Sequence, residues 1–80
     1  MNREQKQRLI EALLDCPTMY EPGDRNTVVR ELPPHIRDDI HRGASNRVDV
    51  TNIVTRCTVC ANDLKVLIDQ VQSQEGDSVS

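Results

Sequence analysis

The residues with the clearest chemical potential are two cysteines, Cys57 and Cys60, which are separated by two residues. Two cysteines at this CxxC spacing can supply part of a four-ligand zinc site, or they can carry out thiol–disulfide exchange. The further zinc ligands would have to come from three residues elsewhere in the chain: Cys16, His35 and His41. However, the chain has no second CxxC, no HxxxH spacing and no strand–helix–strand pattern around the motif. We therefore interpret Cys57 as a small buried hydrophobic residue and leave open whether Cys60 is one as well, with a zinc- or thiol-dependent regulatory domain that uses both as the alternative.

Other catalytic arrangements find little support. His35 and His41 are six residues apart, so they do not share a helical face, which needs a spacing of three or four. No Ser-His-Asp order stands out, and a chain with 3 glycines has no glycine-rich phosphate loop. We expect no enzyme activity, no metal and no cofactor in these 80 residues.

Charged residues of both signs lie close together in the middle of the chain and form the best candidate for a protein-interaction surface. The candidate residues are Arg30, Glu31, Arg37, Asp38, Asp39 and Arg42, with Arg47 in a second patch. Two copies could pair this surface reciprocally or place it against a different face in a head-to-tail arrangement. The alternative is an ordinary solvated surface, whose ion pairs contribute only ~0–1 kcal/mol each. Arg25 is either another surface contact or an intramolecular partner for a carboxylate.

Length and charge narrow the classes of partner. Eighty residues form at most one domain, with a thin core built from aliphatic residues and cysteine, because the chain has no Phe or Trp. The formal net charge is −3, the charges are interspersed, and Tyr20 is the one aromatic residue. Nucleic acid binding needs a clustered basic surface, so we expect no nucleic acid partner. A third interpretation is a DNA-binding helix-turn-helix domain, with the helix predicted over residues 48–59 in the groove of the DNA. Only Arg47 and Arg56 on that segment could contact phosphates or bases.

Hydropathy argues against a membrane protein. No stretch of about 18 apolar residues occurs, and the polar N-terminus does not resemble a signal peptide. We therefore expect no membrane partner and a cytoplasmic location.

The elements that must position these residues are helices, because apolar residues recur at helical spacing. The first helix is predicted over residues 3–15, with Asn2 and Gln5 as a capping pair and Pro17 as the stop. Residues 18–21 fit a capping box for one short turn.

A second helix is predicted to begin with Asp24 as its N-cap and to end at Pro33, while Pro34 opens a further short helix. Ile36 and Ile40 are predicted to face inward, and residues 43–46 are predicted to form a loop.

Residues 48–59 are rich in β-branched side chains, but their pattern predicts a helix. Val50, Ile53, Val54 and Cys57 form a helical stripe, with Asp49 as the predicted N-cap rather than a contact residue. A last helix presents an apolar face and ends near Gly76, the predicted C′ glycine. That face comprises Ala61, Leu64, Leu67, Ile68 and Val71. Residues 1–75 are thus predicted to form the domain, and residues 76–80 a flexible tail or the start of a linker.

The order of these signals resembles the effector-associated domains, a bacterial group of death-like adaptor domains. The resemblance extends over residues 9–78. It rests on Leu13-Leu14-Asp15-Cys16-Pro17, Arg25, Glu31-Leu32-Pro33, Ile36, Ile40, Arg47-Val48-Asp49-Val50, Ile53-Val54, Cys57, Leu64, Leu67-Ile68-Asp69 and Glu75-Gly76-Asp77-Ser78. The chain departs from the family pattern at Val71-Gln72-Ser73-Gln74, where aromatic residues are common, which implies a more polar or less tightly packed last helix.

The resemblance implies an all-α fold, a compact death-domain-like bundle of five to six short antiparallel helices. It also implies a non-catalytic adaptor that couples a sensor ATPase to an effector such as a protease, in bacterial conflict or anti-phage signalling. The implied partner is a matching death-like or effector-associated domain on another protein, bound through homotypic contact, and self-association is a further possibility.

Overall fold

The computed structural model describes residues 2–79, and the side chains of residues 2–75. All regular secondary structure in the described residues is helical. The helices are α1 (Arg3–Leu14), α2 (Pro17–Tyr20), α3 (Pro22–Glu31), α4 (Pro34–Arg37), α5 (Asn46–Cys57) and α6 (Ala61–Val79). The prediction of an all-α bundle of five to six helices is confirmed.

The start of α1 has the predicted capping box. The Asn2 Oδ1 atom accepts the Gln5 N–H at 2.8 Å, and the Gln5 Oε1 atom accepts the Asn2 N–H at 3.1 Å. These reciprocal bonds satisfy two backbone donors that would otherwise lack partners at a helix N-terminus. The helix ends at Leu14, one residue before the predicted boundary.

Two predicted starts are wrong, because Pro17 and Pro22 each open a helix. Helix α2 begins at Pro17, so Thr18 is a buried residue inside it rather than the cap of a capping box. Helix α3 begins at Pro22 with Glu21 as its N-cap, so Asp24 lies in the first turn and is not the N-cap. A proline suits the first helical position because its missing N–H has no partner there and its φ is already helical.

The short helix α4 follows the prediction. It begins at Pro34, and both Ile36 and Ile40 are buried, at 0% and 8% exposure. Their side chains therefore anchor the segment between α3 and α5 to the core.

Helix α5 is confirmed in spite of its β-branched residues, because its apolar stripe is buried against the core. Its N-cap is Ser45, whose Oγ atom accepts the Val48 N–H at 3.2 Å. The prediction of Asp49 as the N-cap is therefore wrong; this residue lies in the first turn and is 1% exposed.

Helix α6 contains Gly76, so the prediction that this glycine follows the helix end is wrong. The interpretation of residues 76–80 as a flexible tail or linker stays a prediction, and Ser80 lies outside the described residues. Of the predicted apolar face, Leu67 and Val71 are buried, whereas Ala61 is exposed. No described helix is both long and apolar enough to cross a membrane.

The core lies between α1, α3, α5 and α6, and α2 adds Met19 to it. Its fully buried side chains are almost all aliphatic or sulfur-containing: Met19, Val28, Ile36, Val50, Ile53, Val54, Cys57 and Leu67. This core fixes the positions of the charged side chains that surround it.

Candidate functional site

A buried ion cluster joins α3, α5 and the segment between α4 and α5. The side chains of Arg25 in α3 and Asp49 in α5 are 5% and 2% exposed, and their Nε and Oδ2 atoms are 2.7 Å apart. Arg42 donates from Nε to Oδ1 and from Nη2 to Oδ2 of the same carboxylate, each at 2.7 Å. The Gly43 N–H adds a hydrogen bond to Oδ1 at 3.0 Å. The Asp49 carboxylate thus has four donors.

Arg25 is equally well satisfied on its other side. Its Nη1 atom donates to the carbonyl oxygens of Met19 and Tyr20 at 2.9 and 3.2 Å, and to Oδ1 of Asn46 at 3.1 Å. Of the two roles left open for Arg25 by the sequence, the structure shows the intramolecular one.

The cluster also sets the protonation state of Asp49. Burial alone would raise the pKa of this carboxyl, because the charged form loses hydration. The hydrogen bonds from Arg42, Gly43 and Arg25 outweigh burial and lower the pKa to about 2. Asp49 is therefore ionised throughout the physiological pH range.

Beside this cluster lies an open groove of about 350 Å³, which we call the arginine groove. It lies between α3 on one side and the end of α4 with the loop that leads to α5 on the other. Its lining residues are Asn26, Val29, Arg30, Arg37 and Arg42. No acidic residue lines it. The groove is polar and basic, with a single aliphatic side chain at its wall.

Intramolecular bonds hold two of the three arginines in the groove. Arg37 donates from Nη1 to the carbonyl oxygen of Arg30 and from Nε to Asp38, both at 3.3 Å. Arg42 is fixed by its two bonds to Asp49 and by a bond from Nη2 to Asn26 at 2.6 Å. These side chains have already lost rotamer freedom, so binding a partner would cost less conformational entropy.

The groove and the adjoining ion cluster carry an excess of positive charge. Two carboxylates, those of Asp38 and Asp49, offset only part of the positive charge of four arginines: Arg25, Arg30, Arg37 and Arg42. This surface is therefore locally basic in a chain whose formal net charge is −3.

A second groove, of about 290 Å³, lies on another part of the surface and is mixed in character. It is lined by Asp39, His41, Asn52, Thr55, Arg56 and Val59. Arg56 bridges two acidic residues here, since it pairs with Asp39 and, at 3.0 Å, with Asp63 at the start of α6. Val59 is 77% exposed at the rim.

The predicted interaction residues thus divide among several places. Arg30, Arg37 and Arg42 come together in the arginine groove, with Asp38 paired to Arg37 at its edge. The other three lie elsewhere: Asp39 belongs to the second groove, Glu31 is exposed at the end of α3, and Arg47 pairs with Glu11 of α1 at 2.7 Å.

Sequence reasoning missed the burial of Asp49 and left the role of Arg25 open, although a signal for both was present. Asp49 precedes Ile53 by four residues, Arg25 precedes Val29 by four, and both therefore lie on inward-facing helical stripes. A charged residue on such a stripe must be paired, because an isolated buried charge is too costly. This rule would have indicated an ion pair without naming the partners.

The cysteines provide little support for thiol or metal chemistry. Cys57 is fully buried as predicted, and burial raises the pKa of its thiol to about 11. Cys60, whose burial the sequence left open, is exposed. Exchange and metal ligation both require a thiolate, which the surroundings of Cys57 disfavour. Among the side chains of residues 2–75, no three from His, Cys, Asp or Glu are grouped closely enough to hold a metal ion.

The fold and these grooves define a class: a small all-α domain whose described surface carries open, charged grooves. The sequence model of effector-associated domain 2 matches residues 10–80. The chain therefore belongs to the effector-associated domain 2 family, and this membership implies an association with an effector-related partner. Comparisons with curated proteins and with solved structures gave no match.

Proposed function

We propose that this chain is a non-catalytic adaptor that binds a matching effector-associated domain on another protein. In this role it couples a sensor ATPase to an effector such as a protease, in the cytoplasm of a bacterium and in conflict or anti-phage signalling. Self-association of the domain is a separate proposal, on which the adaptor role does not depend.

The observation that carries the proposal is the family match over residues 10–80, which covers nearly all of the folded chain. Effector-associated modules bring an effector under the control of another component, and a domain of this size can do so through its surface alone. The described residues add support, because their charged side chains converge on grooves that a partner can reach.

The arginine groove is the surface we assign to the partner. Charged groups in such a surface contribute chiefly to the rate and specificity of association. Arg30 and Arg37 are the residues to change, since Arg42 also holds the buried Asp49 carboxylate and its loss would disturb the fold.

The test is co-purification with a protein that carries a matching effector-associated domain and is encoded beside this chain. We expect the wild-type domain to retain such a sensor or effector, and the Arg30→Glu/Arg37→Glu variant to lose it. The control variant Arg3→Glu/Lys65→Glu changes the same number of exposed cations outside the groove and should behave as the wild type.

Two outcomes would contradict the proposal. One is that no neighbouring gene encodes a protein with such a domain. The other is that every neighbouring protein with such a domain fails to co-purify with the folded wild-type chain.

A further inference from the structure

We propose that the arginine groove binds the acidic N-terminal end of α3 in a second copy of this chain, so that copies associate head to tail. The acidic end is formed by Glu21 and Asp24. This inference rests on the proposed adaptor function and deepens it, because it names the two surfaces that meet.

The groove has hydrogen-bond donors that are still available to a partner. Among the described residues, no acceptor contacts the Arg30 guanidinium, the Nη2 atom of Arg37 or the Nη1 atom of Arg42. A guanidinium has five N–H donors and matches the geometry of a carboxylate. The natural occupant of this groove is thus a surface that carries carboxylates.

The chain itself carries such a surface. Glu21 and Asp24 are both exposed, and neither forms an ion pair with another side chain of residues 2–75. Asp38 and Asp39 are adjacent, but they are already paired with Arg37 and Arg56. Most of the other exposed acidic residues have no second unpaired carboxylate close to them in the sequence. Glu21 and Asp24 share one helical turn and therefore offer two carboxylates to one partner.

The two surfaces cannot meet within one molecule, because they lie at opposite ends of α3. Arg30 lies nine positions after Glu21, which corresponds to about 13 Å along a helix axis. At roughly 100° per residue, Asp24 also points away from the helix face that carries Asn26, Val29 and Arg30.

Complementary surfaces on opposite sides of a molecule make a heterologous contact, in which each copy uses its groove on one neighbour and its acidic end on the next. Such contacts generate rings or open filaments rather than twofold dimers. Association between exposed charges of this kind weakens as salt is added.

A charge-swap experiment on the full 80-residue chain tests the inference by sedimentation velocity at low ionic strength. The groove variant is Arg30→Glu/Arg37→Glu, and the acidic-end variant is Glu21→Arg/Asp24→Arg. In each variant alone the substituted surface carries two charges of the same sign as the surface it would contact, so like charges would meet at every contact, although Arg42 stays in the groove of the groove variant. In a mixture, both kinds of contact are again between opposite charges.

We expect the wild type to associate in a concentration- and salt-dependent way, and each variant alone to associate at least about tenfold more weakly. An equimolar mixture of the two variants should regain the wild-type behaviour. The control Arg3→Glu/Lys65→Glu should associate like the wild type, which separates a surface effect from one of net charge. Circular dichroism establishes that every variant retains its helices.

The inference is overturned if the wild type stays monomeric at all concentrations, or if the mixture sediments like the separate variants. If the wild type nevertheless binds the matching domain of a sensor or effector, only the self-contact is wrong and the adaptor function stands. If both self-association and binding to such domains are absent, the proposed function fails as well.

Discussion

At the scale of single residues, the Asp49 carboxylate is the polar centre of the molecule. It accepts hydrogen bonds from Arg25, Arg42 and Gly43, and so connects α5 to α3 and to the α4–α5 segment. An ion pair of this kind is not strongly stabilising in itself, but the loss of one partner leaves a buried charge without compensation. Asp49 therefore specifies how these three segments fit together.

The first prediction concerns the removal of this carboxylate. Asp49→Ala leaves the buried Arg25 guanidinium without its anion, and we expect the free energy of unfolding to fall by roughly 3–5 kcal/mol. This loss is comparable to the whole stability of a domain of this size, so the variant should be largely unfolded. Urea denaturation followed by circular dichroism measures it.

Glu4→Ala is the matched control for that experiment, since it breaks the exposed pair with Arg8 at 2.7 Å. Such i,i+4 pairs contribute only ~0.5 kcal/mol or less. An equal effect of the two substitutions would contradict the role of the buried cluster.

The second prediction is a loss of stability in acid. The pKa of Asp49 is about 2 in the folded state and about 3.9 in an unfolded chain, so the unfolded state binds the proton more readily. The stabilisation is complete above about pH 5 and is lost as the pH falls through about 2, a total change of roughly 2–3 kcal/mol. Carbon-detected NMR of the Asp49 carboxyl provides the direct measurement, and titration near pH 4 would contradict the account.

At the scale of the elements, the structure explains which features the sequence could predict. Helix α5 was predictable because its apolar stripe recurs at helical spacing, and burial of that stripe outweighs the β-branched propensity. The starts of α2 and α3 were not predictable from the sequence, because a proline can either end one helix or open the next. Only tertiary packing decides between these two roles.

The third prediction compares two glycines. A Cβ atom on Gly43 would lie 2.6 Å from Val48 Cγ1 and 2.7 Å from the Asp49 backbone nitrogen, because the loop passes close to the start of α5. Gly43→Ala should therefore displace the loop, weaken the bond to Asp49 and lower the free energy of unfolding by about 1–3 kcal/mol.

Gly23 is the matched control, since a Cβ atom there would have nothing within 4 Å. It lies in the first turn of α3, and Gly23→Ala should stabilise the protein by about 0.5 kcal/mol because alanine restricts the unfolded chain. Thermal denaturation of both variants checks the pair, and a stabilising effect of Gly43→Ala would show that the loop is not held close to α5.

At the scale of the whole molecule, the all-α architecture and most of the core followed from the sequence, whereas the surface did not. Seven charged residues near one another in sequence were predicted to form the interaction surface. The fold brings Arg30, Arg37 and Arg42 into one groove and turns Asp39 towards Arg56 instead. Side-chain convergence of this kind depends on how helices pack, which the periodicity of a single helix does not reveal.

The buried ion cluster positions the arginine groove, which is the partner-binding surface that we propose. Arg42 connects the two, since it lines the groove and pairs with Asp49. The interior polar network and the proposed binding surface are therefore parts of one structure.

The most direct measurement is the dissociation constant between this chain and the effector-associated domain of its neighbouring sensor or effector, determined by titration calorimetry at low and high salt. We predict binding that weakens with salt, and a loss of at least about tenfold in affinity for Arg30→Glu/Arg37→Glu with its fold intact. Equal affinity of the wild type and this variant at both salt concentrations would contradict the central claim that the arginine groove is the binding surface.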